Sequence, residues 1–151
     1  MLKEGDKAPQ FKGIDQDENP ISLEDFSGRK LILYFYPKDD TPGCTAESCS
    51  LRDNYSTMLD KGYAILGVSA DTAKSHRKFI KKYKLPFSLL ADTNREVIDA
   101  FGVWGPKKFM GREYDGILRT TFVINEQGVI EEVYSDVNTK DHANQILENQ
   151  Q

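Results

Sequence analysis

Leu31-Ile32-Leu33-Tyr34-Phe35-Tyr36-Pro37-Lys38-Asp39-Asp40-Thr41-Pro42-Gly43-Cys44 is where the fold declares itself. Its first six residues are apolar or aromatic at every position. That is the pattern of a strand buried on both faces, with helices above and below the sheet. The polar, proline-rich stretch that follows reads as a loop, and Cys44 stands just beyond it at the mouth of a helix. In open α/β sheets, chemistry sits at the carboxyl ends of central strands.

Working outward, Ala64-Ile65-Leu66-Gly67-Val68-Ser69 and Phe87-Ser88-Leu89-Leu90-Ala91 read as two further buried strands. Thr121–Ile124 and Val129–Tyr134 flank Asn125-Glu126-Gln127-Gly128 and read as a hairpin. A helix is expected over Ala46 to Leu59, with Leu51, Tyr55, Met58 and Leu59 on its inner face. A second is expected over Ala73 to Tyr83, capped by Asp71 or Thr72. A short one is expected over Arg95 to Phe101, stopping at Gly102, and a last one over Asp141 to Leu147. Ile21–Phe26 suggests a short strand and turn. Strands alternating with helices predict an α/β fold with a mainly parallel sheet covered on both faces. The closing hairpin and helix fit a thioredoxin-like fold: a central mixed sheet flanked by helices, behind an N-terminal extension.

The chain has 151 residues, 38% of them hydrophobic and 29% charged, with a net charge of −4. A single domain over residues 1–151 is expected. Mixed charges of that sign disfavour nucleic acid or an anionic membrane as partner. No apolar run approaches the roughly 20 residues of a membrane span. Met1–Asp6 has no signal-peptide pattern, so the cytoplasm is the expected compartment, where cysteines are normally reduced. The two cysteines, Cys44 and Cys49, and the two histidines, His76 and His142, are too few and wrongly spaced for a closed zinc site. No metal or cofactor is expected. On the count alone, the cysteines fit a redox pair or two small buried hydrophobes equally well.

A thiolate in the first turn of a helix meets the positive end of the helix dipole, and the thiolate is the nucleophile. The plainer reading of Pro42-Gly43-Cys44 is a turn before a helix. Cys44 shares the stripe of Leu51, while Cys49 is rotated about 140° from it, onto the face of Thr45, Arg52 and Ser56. In an unbroken helix their Cα atoms are ~8.7 Å apart. A disulfide needs about 7 Å or less. Either the two never bond, or the helix start unwinds whenever they do. Arg119 heads the Thr121–Ile124 strand. If that strand lies beside Leu31–Tyr36, its guanidinium reaches the Cys44 sulfur and stabilises a thiolate. The plainer reading is a surface arginine.

Pro37-x-x-x-Thr41-x-x-Cys44, Arg119-Thr120-Thr121-Phe122, Gly5-x-x-Ala8-Pro9-x-Phe11, Phe101-Gly102-Val103-Trp104 and Gly116-Ile117-Leu118-Arg119 together resemble the peroxiredoxin family. The likeness spans nearly the whole chain. Cys44-Thr45-Ala46-Glu47-Ser48-Cys49 is similar to its bacterioferritin comigratory protein subgroup, the Q type. The resemblance implies a thiol-specific peroxidase acting on hydrogen peroxide and organic hydroperoxides. It implies that Cys44 attacks and becomes a sulfenic acid, and that Cys49 resolves it to an intramolecular disulfide. A thioredoxin-type dithiol would then reduce that disulfide. Thr41 would hydrogen-bond the thiolate–peroxide pair, Pro37 would shield it, and the N–H groups of Gly43 and Cys44 would hold the peroxide. Glu47 would brace the pocket, or simply favour a helix N-terminus. A monomer is expected. Two other readings stay open: a thiol–disulfide oxidoreductase, though four residues rather than two separate the cysteines, and a redox-controlled holdase. Trp104 and Phe109 are candidates for a partner surface.

Overall fold

A computed structural model describes residues 1–149 of the chain. The decisive strand is β3 in a chain that opens with a small antiparallel pair, β1 (Lys12–Ile14) and β2 (Pro20–Ser22), followed by a 3-10 turn, Leu23–Phe26. β3 covers Lys30–Phe35, β4 Tyr63–Ser69 and β5 Ser88–Ala91, all parallel. Further strands are β6 (Trp104–Phe109), β7 (Arg112–Ile117), β8 (Thr120–Ile124) and β9 (Ile130–Tyr134). The sheet order is β5-β4-β3-β8-β9, with β8 and β9 antiparallel to their neighbours. This is the expected mixed sheet of a thioredoxin-like fold.

Strand alternation explains why residues 31–36 are all apolar or aromatic. Leu31, Leu33 and Phe35 face a core with Leu66, Val68, Phe122 and Phe101. Ile32, Tyr34 and Tyr36 face the other way, toward Leu51, Met58, Phe79 and Ile146. Each fully buried aliphatic side chain contributes roughly 1.5–3 kcal/mol, so this strand ties the two cores together. The helices are α1 (Pro42–Asp53), α2 (Tyr55–Asp60), α3 (Ala73–Tyr83), α4 (Glu96–Ala100) and α5 (His142–Asn149). Thr72, rather than Asp71, caps α3: its hydroxyl accepts from the Ser75 N–H at 3.1 Å.

Two expectations are corrected. The helix expected over Ala46 to Leu59 starts earlier and is broken. Pro42 occupies the first turn, where its fixed φ is already helical. At Asn54 the backbone leaves helical geometry (φ −112°, ψ 12°) and the side-chain amide donates to the Ser50 carbonyl at 2.9 Å. The break turns Leu59 away from the core, leaving it 42% exposed. The second correction is the β6–β7 hairpin, which was not anticipated. Its turn, Met110-Gly111, has two positive φ values, 52° and 78°, as a two-residue hairpin turn demands. Most of its residues lie at the surface, so it carries little of the alternation that reveals half-buried strands. Trp104 packs against the core under the Arg95 guanidinium, 4.1 Å from the ring centre, whereas Phe109 is exposed. Among the described residues no helix is long and apolar enough to cross a membrane.

Candidate active site

The loop from Pro37 to Thr41 leaves β3 and is tied to α3. Asp39 is buried, and its Oδ1 accepts from the Tyr36 hydroxyl at 2.6 Å. Its Oδ2 accepts from Ser75 Oγ at 2.8 Å and lies 2.7 Å from His76 Nδ1. The other ring nitrogen of His76 is 3.0 Å from the Leu90 carbonyl, which only accepts, so Nε2 carries a hydrogen. Asp40, at φ 58°, accepts from Lys82 at 2.8 Å and from the Tyr83 hydroxyl at 2.6 Å. Those two bonds hold its carboxyl below the ordinary range. The Thr41 hydroxyl donates to the Lys38 carbonyl at 2.9 Å. With its hydrogen committed there, the oxygen's lone pairs are left as acceptors for an O–H group. Pro37 is half-buried at the head of the loop.

Cys44 is 1% exposed in the first turn of α1. The first bond of that helix runs from the Thr45 N–H to the Thr41 carbonyl, at 2.8 Å. The Gly43 and Cys44 N–H groups precede it, at the end where helices present donors to anions. β8 pairs with β3 in the register Thr120↔Phe35, so Arg119 emerges beside the end of β3, where the loop toward α1 begins. Its Nη2 donates to Cys44 Sγ at 3.2 Å and its Nη1 to Glu47 Oε1 at 2.7 Å. The surface reading of Arg119 therefore fails. Gly43 fits beneath it: a Cβ there would lie 3.2 Å from Nη2. Burial opposes the guanidinium's charge, but Glu47 and Cys44 outweigh it and push the Arg119 pKa up.

Glu47 is fully buried, and burial raises its carboxyl to about 7 despite Arg119. Its second oxygen, Oε2, accepts no hydrogen bond among the described residues and lies 3.6 Å from His142 Nε2. His142, on α5, was not singled out from sequence. It is far along the chain, and only the packing of α5 on α1 reveals it, with the Ala143 N–H donating to Ser50 Oγ at 3.1 Å. Cys49 is not part of this cluster. Helix α1 runs unbroken through both cysteines, both are free thiols, and burial pushes the Cys49 thiol up. The inner face of α1 is weakly apolar: Cys44 and Leu51 alternate with Glu47, Ser48 and Ser50, and Ser48 shares a 2.9 Å hydrogen bond with Tyr34.

The assembly joins a buried thiol, a guanidinium on its sulfur and a helix start, and so suits nucleophilic attack by sulfur on an electrophile whose leaving group departs as an anion. Comparison with known proteins agrees. The AhpC/TSA family profile matches residues 4–133. Peroxiredoxin Bcp of Escherichia coli is 45% identical over 146 residues, covering 97% of this chain and 94% of that one. A crystal structure of a Xylella fastidiosa PrxQ cysteine mutant superposes with a TM-score of 0.92 at 29% identity, covering 99% and 96% of the two chains. A structure of the Xanthomonas campestris bacterioferritin comigratory protein, described for its alkyl peroxide reduction activity, gives 0.85 at 32% identity over 92% and 88%. With matches of this length in both sequence and fold, the chain belongs to the AhpC/TSA family, and within it to the Bcp, or Q-type, peroxiredoxins.

Proposed function

We propose that this peroxidase reduces hydrogen peroxide and organic hydroperoxides through Cys44, with Cys49 as the resolving thiol and a thioredoxin-type dithiol as the final reductant. The observation that carries the first step is the 3.2 Å contact from Arg119 Nη2 to Cys44 Sγ. The Cys44 thiolate attacks one peroxide oxygen, the O–O bond breaks, and hydroxide or alkoxide leaves and takes up a proton. Cys44 is left as a sulfenic acid. Arg119 and the helix N–H groups face the charge that develops on the oxygens. Thr41 accepts from the peroxide, and Pro37 closes the loop over the sulfur. The alkyl peroxide activity of the Xanthomonas relative supports organic substrates. Cys49 then attacks the sulfenic sulfur, water leaves and a disulfide forms, which the external dithiol reduces by exchange. Two free thiols five residues apart suit a reducing compartment such as the cytoplasm. A thiol–disulfide oxidoreductase is less well served, because a sulfur 1% exposed cannot meet a protein disulfide. Peroxide consumption with thioredoxin recycling, set against insulin reduction, separates the two: peroxidase turnover without insulin reduction is expected.

Cys49→Ser is expected to consume the first equivalent of peroxide at the wild-type rate and to lose most thioredoxin-linked turnover. Mass spectrometry should then find more sulfinic acid on Cys44, because the sulfenic acid has no partner within the chain. Unchanged recycling would remove Cys49 from the resolving role.

Disulfide formation requires α1 to unwind between the cysteines, since the helical geometry holds their Cα atoms ~8.7 Å apart. Freeing each backbone residue returns roughly 1–2 kcal/mol of conformational entropy, against hydrogen bonds that water partly replaces. Amide exchange from Thr45 to Leu51 should be slow in the reduced protein and much faster in the oxidised one. Equal protection, with the disulfide confirmed by mass, would exclude unwinding.

A further inference from the structure

We propose that the basic face of α3 is the docking surface for the protein that reduces this enzyme, and that this partner carries its dithiol on an acidic surface. The inference rests on the reading of Cys49 as the resolving thiol and of a protein dithiol as the final reductant.

From Thr72 to Ala91 the chain holds Lys74, Arg77, Lys78, Lys81, Lys82 and Lys84 and no Asp or Glu. This concentration of cations stands in a chain whose net charge is −4. The inner face of α3 buries His76 and Phe79, and every exposed position of the helix is a lysine or an arginine. The fold does not ask for that. Lys81 and Lys82 suit the last turn, where the helix dipole favours cations, but Lys74 stands in the first turn and opposes it. Lys74–Lys78, Arg77–Lys81 and Lys78–Lys82 are like-charge pairs four residues apart, which destabilise a helix. Among the described residues only Lys82 of the six forms an ion pair, with Asp40 at 2.8 Å.

The charge lies beside the thiols. Two ties to α3 bracket the cysteines. Ahead of them, Asp40 accepts from Lys82 Nζ at 2.8 Å and from the Tyr83 hydroxyl at 2.6 Å. Beyond them, Arg52 Nη1 donates to the Tyr83 carbonyl at 2.7 Å. Cys49 is partly exposed and lies one helical turn before Arg52, so its side of α1 turns to the C-terminal end of α3. Lys74, Lys78 and Lys82 form one wall of a groove of about 520 Å³, and Asp39 and Asp40 of the active-site loop lie opposite. Asp40 is engaged by Lys82, and Asp39 is buried in bonds to Tyr36, Ser75 and His76, which leaves Lys74 and Lys78 to meet an outside anion. Both ties lie outside residues 44–49, so the basic face stays in place when that segment unwinds. The partner's thiolate attacks one sulfur of the disulfide, and the other leaves as a thiolate. The partner's second thiolate then closes its own disulfide and releases the first sulfur, so two electrons pass to this chain. Carboxylates around the partner's thiols would steer that encounter. A nucleic acid is equally anionic but brings no electrons to the bond that this face adjoins.

Recycling kinetics test this. The oxidised protein is reduced in parallel by a thioredoxin of net negative charge and by dithiothreitol, a small uncharged dithiol. In the double variant Lys74→Glu, Lys81→Glu, kcat/KM for the thioredoxin should fall on the order of 10-fold at low salt, through KM. The dithiothreitol rate and the first-turnover rate with peroxide should stay at their wild-type values. Raising salt from about 0.01 to about 1 M shortens the screening length from about 30 to about 3 Å, so the wild-type rate with thioredoxin should fall steeply and the variant's should not. Loss of fold does not mimic this. The substitutions make the pairs with Lys78 and Arg77 attractive and spare the Lys82–Asp40 tie, so the variant should melt no lower than the wild type. Equal kcat/KM in the two proteins, with the disulfide confirmed by mass, would overturn the docking surface and leave the reading of Cys49 standing. Absence of a Cys44–Cys49 disulfide in the oxidised wild type, or reduction by dithiothreitol alone, would instead overturn the readings on which the proposal is built. Binding of duplex DNA by the wild type and not by the variant, with thioredoxin rates alike, would make this a nucleic-acid surface and overturn the proposal.

Discussion

Cys44→Ser is expected to reduce peroxide consumption to the background of the buffer while the fold is retained. Serine places an oxygen where the sulfur sits, so the packing of this buried site changes little. The chemistry changes completely, because a hydroxyl is not ionised near neutral pH and the reaction needs the anion. Arg119 does not repair this: a guanidinium that steadies a thiolate is far too weak a lever to ionise an alcohol. The measurement is peroxide loss under single-turnover conditions, with circular dichroism to confirm folding. Turnover in the serine variant would place the nucleophile elsewhere, and Cys49 is the one other thiol in the chain.

Arg119→Ala is expected to lower the second-order rate constant with peroxide by on the order of 10²-fold, the usual loss when one preorganised donor to a developing charge is removed. The side chain bridges Cys44 Sγ and Glu47 Oε1, so the substitution removes the sulfur's cationic donor and also strands a buried carboxyl oxygen. A modest drop in thermal stability should accompany the rate loss. It is small because Glu47, already raised to about 7, can take up a proton rather than remain a naked charge. Arg119→Lys separates the two effects. A lysine keeps a cation but cannot fork to both partners, so it should recover stability better than rate. A wild-type rate constant in folded Arg119→Ala would mean that the 3.2 Å contact is structural only.

The parts legible in sequence are those whose signal is local. The unbroken apolar run of residues 31–36 announced a strand buried on both faces, and the β8–β9 hairpin was visible in Thr121–Tyr134. Cys44 could be placed because a strand, a proline-rich loop and a helix start are consecutive in the chain. Arg119 needed one further step, that β8 lies next to β3. What escaped depends on contacts between distant segments. Asn54 breaks a helix through a side-chain bond to Ser50 that competes with the backbone, while the hydrophobic period runs on past it. His142 reaches Glu47 only because α5 packs on α1, and Asp39 meets His76 across 37 residues of chain. No periodicity encodes a buried polar contact of that kind.

The anchoring of the active-site loop divides the catalytic centre into fixed and moving parts. Asp39 and Asp40 fasten the loop to α3, and Arg119 is carried at the margin of the central sheet. The Asp39 and Asp40 ties lie outside the segment between the cysteines, whereas the guanidinium bonds of Arg119 end on Cys44 and on Glu47 within it. If Cys49 resolves Cys44, departure of that segment would leave the loop anchored and the Arg119 backbone in place ahead of β8, while freeing its guanidinium. On that reading the anchored loop would persist in the oxidised enzyme, and reduction would release a short length of chain to coil back beside it. Recovery becomes a local helix-coil event, on the microsecond scale of such transitions, rather than a refolding of the site.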